Sequence, residues 1–239
     1  EALVQTGVIG FKAFMSNSGI DDYRNVDDYS LYRGMEILAP HGAIVAVHAE
    51  NDTITQQLAQ KAIQAGRLSV NDYLQSRPII AELEAIQRAI LFASETGCKL
   101  HIVHISSSRG VDLVTEARQK GIDVTCETCP HYLALTDNDV RRIGAAAKCA
   151  PPIRSQQEQD KLWHQLGNGL IDFIASDHSP APMSLKQGDD FFSIWGGIAG
   201  CQSTLPLLLA LGYHQRGLSL QQIVALTSTN VAERFGLPN

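Results

Sequence analysis

Short apolar runs alternate along the chain with longer stretches in which apolar residues recur every three or four positions. The short runs, Val8 to Met15, Ala43 to His48, Leu100 to Ile105, Val124 to Thr128 and Asp172 to Ser176, read as strands. Between them, "DDYSLYRGMEILAPHG" sets Leu31, Met35 and Leu38 at helical spacing. "IIAELEAIQRAILFASETG" places Leu83, Ile86, Ile90 and Ala93 on one face before a glycine stop. "SSRGVDLVTEARQKG" repeats the device, with Ser108 near its start and Gly121 at its end, and the tail reads as two helices, "AGCQSTLPLLLALGYHQRG" and "SLQQIVALTSTNVAERFG". Strands alternating with helices predict βαβ units and a parallel sheet, either open or closed into a barrel. Five strands are too few to close an eight-stranded barrel. No low-complexity linker or charge block divides the 239 residues, so one domain is expected. The opening "EALVQTG" lacks an initiator Met and looks like a helix end leading into a strand, which points to missing upstream material.

Composition narrows the class. Hydrophobic residues make up 44% of the chain, enough for a sizeable core. Nineteen basic against 25 acidic residues give a net charge of -6 with no Lys/Arg-rich stretch, which argues against a nucleic-acid surface. The longest apolar stretch, "LPLLLALGY", is too short to span a bilayer, so no membrane association is expected. Five scattered cysteines and no signal-like start fit a reducing cytoplasm better than a disulfide framework.

The chemistry gathers at strand ends. Lys12 follows "VIGF", His48 ends "AIVAV", His104 ends "LHIV" and Asp177 ends "IDFIAS". In parallel α/β architectures the ligand site forms where strand carboxyl ends converge, so two histidines, a carboxylate and a lysine would face one pocket. Each has a plain structural reading: a satisfied histidine, a turn cap in "ASDHSPAP" shared with Ser176 or His178, a lysine that snorkels to water. Repetition at four strand ends favours a common site. An ammonium buried in an apolar run has a lowered pKa, and the neutral amine can take up carbon dioxide as a carbamate. That anion carries two oxygens, suited to bridging divalent cations about 3.5 to 4 Å apart.

Other motifs point to structure. "CETCPH" supplies Cys126, Cys129 and His131, but Cys98, Cys149 and Cys201 offer no second ligand pair. Because the motif follows a strand-like run instead of opening a helix, packing is the expected role. The pairs Asp21/Asp22 and Asp27/Asp28 lack calcium-loop spacing, and Asp27/Asp28 precede a helix that they would cap. "WGGIAG", residues 195 to 200, lacks dinucleotide-binding spacing and suits a close backbone approach to a ligand, or a helix entry.

Taken in order, "GFKAFM", "VHAEN", "IVHISS", "CETCPHYL", "KCAPPIR" and "IASDHSP" resemble the cyclic amidohydrolases, the group of allantoinases, dihydropyrimidinases or hydantoinases, and dihydroorotases. "GFKAFMSNSGIDDYRNVDD", "KCAPPIRS", "ASDHSPAP" and "WGGIAGCQ" resemble its allantoinase branch, and the likeness runs over essentially the whole chain. The resemblance implies a TIM-like (β/α)8 barrel of the metal-dependent hydrolase type, here only strands four to eight with their helices. Residues 1–239 would be a partial catalytic barrel without the first-strand His-x-His and the small β-sandwich. Two divalent metal ions are implied, with zinc expected and cobalt, manganese or iron as alternatives. Lys12, carboxylated by carbon dioxide or bicarbonate to N6-carboxylysine, would bridge them. His48 and His104 would bind one metal. Asp177 would bind the other and serve as the catalytic proton shuttle.

A metal-bridging hydroxide would attack the carbonyl of a small cyclic ureide, allantoin opening to allantoate. Backbone groups around Ala150 and Gly197 are candidate substrate contacts. A homotetramer is implied by the same likeness. The alternatives are a dihydropyrimidinase or hydantoinase, a dihydroorotase, or a noncatalytic relative. The hydantoinase branch carries Tyr five positions after the bridging lysine, where this chain has Asn17.

Overall fold

A computed structural model describes residues 2–237. Five strands, β1 (Phe11–Phe14), β2 (Ile44–His48), β3 (Lys99–Ile102), β4 (Val124–Thr128) and β5 (Phe173–Ile174), form one parallel sheet in the order β1-β2-β3-β4-β5. Parallel neighbours need a crossover, and helices supply each one. Asp28–Leu38 joins β1 to β2, Asp52–Gln64, Val70–Ser76 and Ile79–Thr96 lie between β2 and β3, and Ser108–Gln119 leads to β4. Pro130–Ala134, Asp137–Ile143 and Gln156–Gly167 precede β5. Parallel strands laid down in chain order, each followed by a helical crossover, are successive staves of a (β/α)8 barrel.

Strand periodicity divides the two faces of this sheet. Val45 and Val47, Leu100 and Ile102, and Val124 and Cys126 alternate into a core shared with Met35, Ile86, Ala89, Val111 and Val114 of the helices. The opposite face is polar: His101 lies 2.9 Å from Thr125 Oγ1 through Nδ1 and donates to Glu127 Oε2 through Nε2 at 3.1 Å.

All five expected strands form, but the first, third and fifth are shorter than predicted, β3 ending at Ile102 and β5 spanning only Phe173–Ile174. Val8 and Ile9 lie outside β1 and are exposed, because β1 has a neighbour on one side only. The predicted helix faces hold: Leu31, Met35 and Leu38 are buried, as are Leu83, Ile86 and Ala93. Asp27 accepts from the Ser30 N–H at 2.7 Å, which makes it the expected cap, while Ser107, one residue before the predicted Ser108, caps the helix into β4 by accepting from Gly110 N–H. The two tail helices form as Cys201–Leu207 continuing through π-helical turns to His214, and as Leu220–Phe235, also with an internal π-helical stretch. Among the described residues, no helix is long and apolar enough to cross a membrane.

Candidate functional site

The strand-end residues come together. His48 closes β2, His104 lies two residues past β3, and Asp177 lies three past β5. Lys12 lies inside β1, level with Ala46, and its neighbour Phe14 is in register with His48. His48 Nδ1 and His104 Nε2 are 3.0 Å apart, with ring centroids 4.7 Å apart and planes at 68°. Among the described residues only His104 and Asp177 combine a side chain with positive φ, at +43° and +42°. Such backbone costs about 1–3 kcal/mol per residue and persists only where surrounding structure holds it.

Electrostatics ties the four into one neighbourhood. Burial lowers the Lys12 ammonium to about 8, while the carboxylates of Asp177 and Glu127 and the Cys129 thiol pull it back up. Burial raises the Asp177 carboxyl, opposed by Lys12 and His48 and reinforced by Glu127. His104 is held well below the usual imidazole range by burial, then by His48 and Lys12. The sequence places Lys12 in a buried strand, and this needs correcting: Lys12 remains solvent-accessible, as does Asp177. Among the described residues β1 has a strand neighbour on one side only, while protein atoms still crowd the ammonium.

A buried network holds the histidines. His48 Nε2 donates to Glu50 Oε2 at 3.0 Å, and Glu50, fully buried, pairs with Arg77. Burial pushes the Glu50 carboxyl up, but Arg77, His48 and Arg154 outweigh it and bring it down to about 2. Arg154 donates to the Arg77 carbonyl at 2.5 Å and to Ser106 Oγ at 2.9 Å. Glu82 accepts from the Ser106 N–H at 2.7 Å and from the Ser107 hydroxyl at 2.5 Å, fixing the turn that follows His104. The sequence did not single out Glu50, Glu82, Arg77 or Arg154; the one available signal was Glu50 two positions beyond His48, on the same side of an extended chain.

The remaining motifs sort as follows. Cys126 and Cys129 are fully buried, with burial pushing the Cys126 thiol up to about 12 and Cys129 well above its ordinary value, which suits inert packing. Contrary to expectation the motif does open a helix: Cys129 stands at the N-cap position of the short Pro130–Ala134, with Pro130 as its first residue and no side-chain cap. "WGGIAG" makes its close approach to the protein itself. A Cβ on Gly197, at φ +150°, would lie 2.5 Å from Ser179 O, and one on Gly200 would lie 2.4 Å from Ser176 O. Gly200 also enters the helix at Cys201, whose N–H donates to His178 Nδ1 at 3.2 Å.

Ala150 precedes a cis peptide bond to Pro151. A cavity of about 560 Å³ opens beside Gly197, lined by Ile143, Pro180, Met183 and Ile194 among others. None of Lys12, His48, His104 and Asp177 lines it. Among the described residues no three His, Cys, Asp or Glu side chains form a ready-made metal group.

Helix-wrapped parallel strands with a titratable cluster at their carboxyl ends define a segment of a TIM-like barrel. Residues 16–110 match the dihydro-orotase-like family model. The chain is 58% identical over 236 residues to an allantoinase of Rubrobacter xylanophilus, covering 99% of this chain and 52% of that protein. It is 56% identical to an allantoinase of Deinococcus radiodurans, covering 99% and 53% respectively. The solved L-hydantoinase of Arthrobacter aurescens superposes with a TM-score of 0.95 at 38% identity, covering 98% of this chain and 52% of that one. The dihydropyrimidinase of Brevibacillus agri superposes with a TM-score of 0.92 at 33% identity, covering 99% and 52%. Over nearly its whole length the chain is similar to cyclic amidohydrolases. It spans about half the length of the curated relatives it matches.

Proposed function

We propose that the full-length protein containing this chain is an allantoinase, opening the ring of allantoin to give allantoate. The observation that carries the site is the convergence of His48 Nδ1 and His104 Nε2, 3.0 Å apart. Their substituents fit a cation. Glu50 accepts a hydrogen bond from His48 Nε2–H, which leaves Nδ1 to present a lone pair. His48 and His104 would hold one divalent ion and Asp177 the other, with Lys12, as N6-carboxylysine, between them. The mixed imidazole and carboxylate donors suit zinc, and also cobalt, manganese or iron.

A cation pair held there would polarise the ring carbonyl and lower the pKa of water toward neutrality. Asp177 would take up a proton and pass it to the ring nitrogen as the C–N bond breaks, a role that its raised pKa suits. Carboxylation of Lys12 needs the uncharged amine, of which a pKa lowered to about 8 leaves a larger fraction than an ordinary lysine has. The remaining ligands would come from a His-x-His strand elsewhere in the full-length protein. Backbone groups near Ala150 and Gly197 would receive the ureide. The five free cysteines fit a cytoplasmic setting, and family likeness favours a homotetramer.

Identity of 44–58% to allantoinases, against 28–38% to the hydantoinase and dihydropyrimidinase structures, favours allantoin over hydantoin or dihydrouracil. Asn17 adds to this, since it shapes its own turn: its N–H donates to Asp52 and its side chain accepts from Gly19 N–H, both at 2.8 Å. The test is Lys12→Ala in the full-length protein. Bound metal and turnover should both be lost, with partial rescue by a short carboxylic acid; retained metal with full turnover overturns the assignment. Steady-state assays on allantoin, hydantoin, dihydrouracil and dihydroorotate decide the substrate, and a preference for any of the last three removes the allantoinase reading.

A further inference from the structure

Lys148 is buried, and the chemistry above gives it no role. Its ammonium donates to Phe192 O at 3.1 Å and to Ile194 O, and lies 4.7 Å from the Tyr73 ring centroid and 5.5 Å from that of Phe191. Tyr73 meets Phe191 and Phe192 edge-on, and its hydroxyl donates to Cys149 O at 2.9 Å. The connection runs in the other direction too: Gly197 N–H donates to Lys148 O at 2.7 Å, and the Lys186 ammonium donates to Ala145 O at 3.2 Å and to Gly197 O. The caged Lys148 ammonium, the Gly197–Lys148 backbone bond and Lys186 together tie residues 145–150 to residues 191–197, and these two segments carry Ala150 and Gly197.

Replacing a whole buried ion pair by apolar side chains often costs no stability, but the Lys148 ammonium donates to two carbonyls, which Met, close to lysine in volume, would leave without that donor. What an apolar replacement cannot do is hold two loop carbonyls in place. The charged groups that face Lys148 are Arg77 and Lys186, which together with burial lower it to about 8, and Asp190, which opposes them. At neutral pH the donor is still mostly charged.

We infer that Lys148 is a positioning residue for substrate binding, its caged ammonium locking the 191–197 loop onto the 145–150 segment to set the backbone frame that receives the cyclic amide. This rests on the hydrolase reading above, and the test separates the two. Full-length wild type and Lys148→Met are compared using whichever of the four cyclic amides the wild type hydrolyses, so a wrong substrate assignment does not touch this inference. KM should rise about tenfold or more while kcat changes less than threefold and bound metal is unchanged. In parallel, amides of residues 191–200 should lose hydrogen-exchange protection, a readout that needs no activity. Should Lys148→Met fail to fold, Lys186→Met, which frees the Gly197 carbonyl from outside the cage, should raise KM in the same direction. An unchanged KM, a fall in kcat alone, or a raised KM with full loop protection each overturns the inference.

Discussion

Glu50 shows how much a single buried carboxylate holds in place. It accepts a hydrogen bond from His48 Nε2–H and balances Arg77, so Glu50→Gln keeps the shape but leaves the Arg77 guanidinium without its counter-charge. Metal affinity of the full-length protein should fall about 10- to 100-fold, measured by competitive titration with a chelator. The same residue sets an acid limb. Its carboxyl is depressed from 4.5 to about 2 in the fold, so its contribution is fully present above about pH 4.5 and is lost as pH falls toward 2. Denaturant titrations across that window should show a steep loss of stability in wild type and a shallower one in Glu50→Gln; matching slopes would remove Glu50 from the acid response.

At this scale Lys12, His48, His104 and Asp177 were legible because each follows a strand-like run. Arg77 and Arg154 were not, since they reach the site from 27 and 104 positions away from Glu50, contacts that no local pattern encodes. The accessibility of Lys12 was equally hidden, being set by what lies across the β1 edge.

At the scale of elements, two glycines make opposite predictions. A Cβ on Gly110, in the helix Ser108–Gln119, would meet Ile105 Cγ2 and Ile86 Cδ1 at 3.0 Å, side-chain ends that can shift. Overpacking of about 1–3 kcal/mol, offset by about 1 kcal/mol of helix propensity, leaves Gly110→Ala destabilised by roughly 1 kcal/mol in urea unfolding, with activity retained. Gly200→Ala instead drives a Cβ to 2.4 Å from the Ser176 carbonyl, one residue before Asp177, where backbone itself must move. Turnover by the full-length protein should drop at least about tenfold, the scale on which misplaced catalytic groups act. Wild-type turnover would show that the Asp177 turn tolerates the shift.

The strands and the strongly periodic helices were readable from the chain, whereas Asp52–Gln64, Val70–Ser76, Asp137–Ile143 and Gln156–Gly167 were not. Asp52–Gln64 buries only Thr55 and Ala62, which mutes its periodicity, and Val70–Ser76 and Asp137–Ile143 are short. Their signals lay in the caps: Asn51, Ser69 with Asp72, and Thr136 with Asp139.

At the scale of the molecule, β1 and β5 each have one strand neighbour among the described residues, so both are edge strands, although Phe14 O at the β1 edge already accepts from the Val26 N–H at 2.8 Å. Unpaired edges of that kind template pairing with other chains. The β1 side is the more exposed to this, with four strand residues against two in β5, and with Val8 and Ile9 exposed just before it. Expressed alone, residues 1–239 should therefore self-associate in a concentration-dependent way in sedimentation velocity. Ile9→Lys should reduce the association, because a lysine beside an edge carries a hydrated charge that an incoming strand would have to bury. Substitution at Leu91, which is equally exposed but lies on a helix, should leave it unchanged. That contrast separates edge pairing from general surface hydrophobicity. A monodisperse monomer across the accessible concentration range would show instead that four strand residues are too few to recruit a partner, and that the polar inner face is stably hydrated without one.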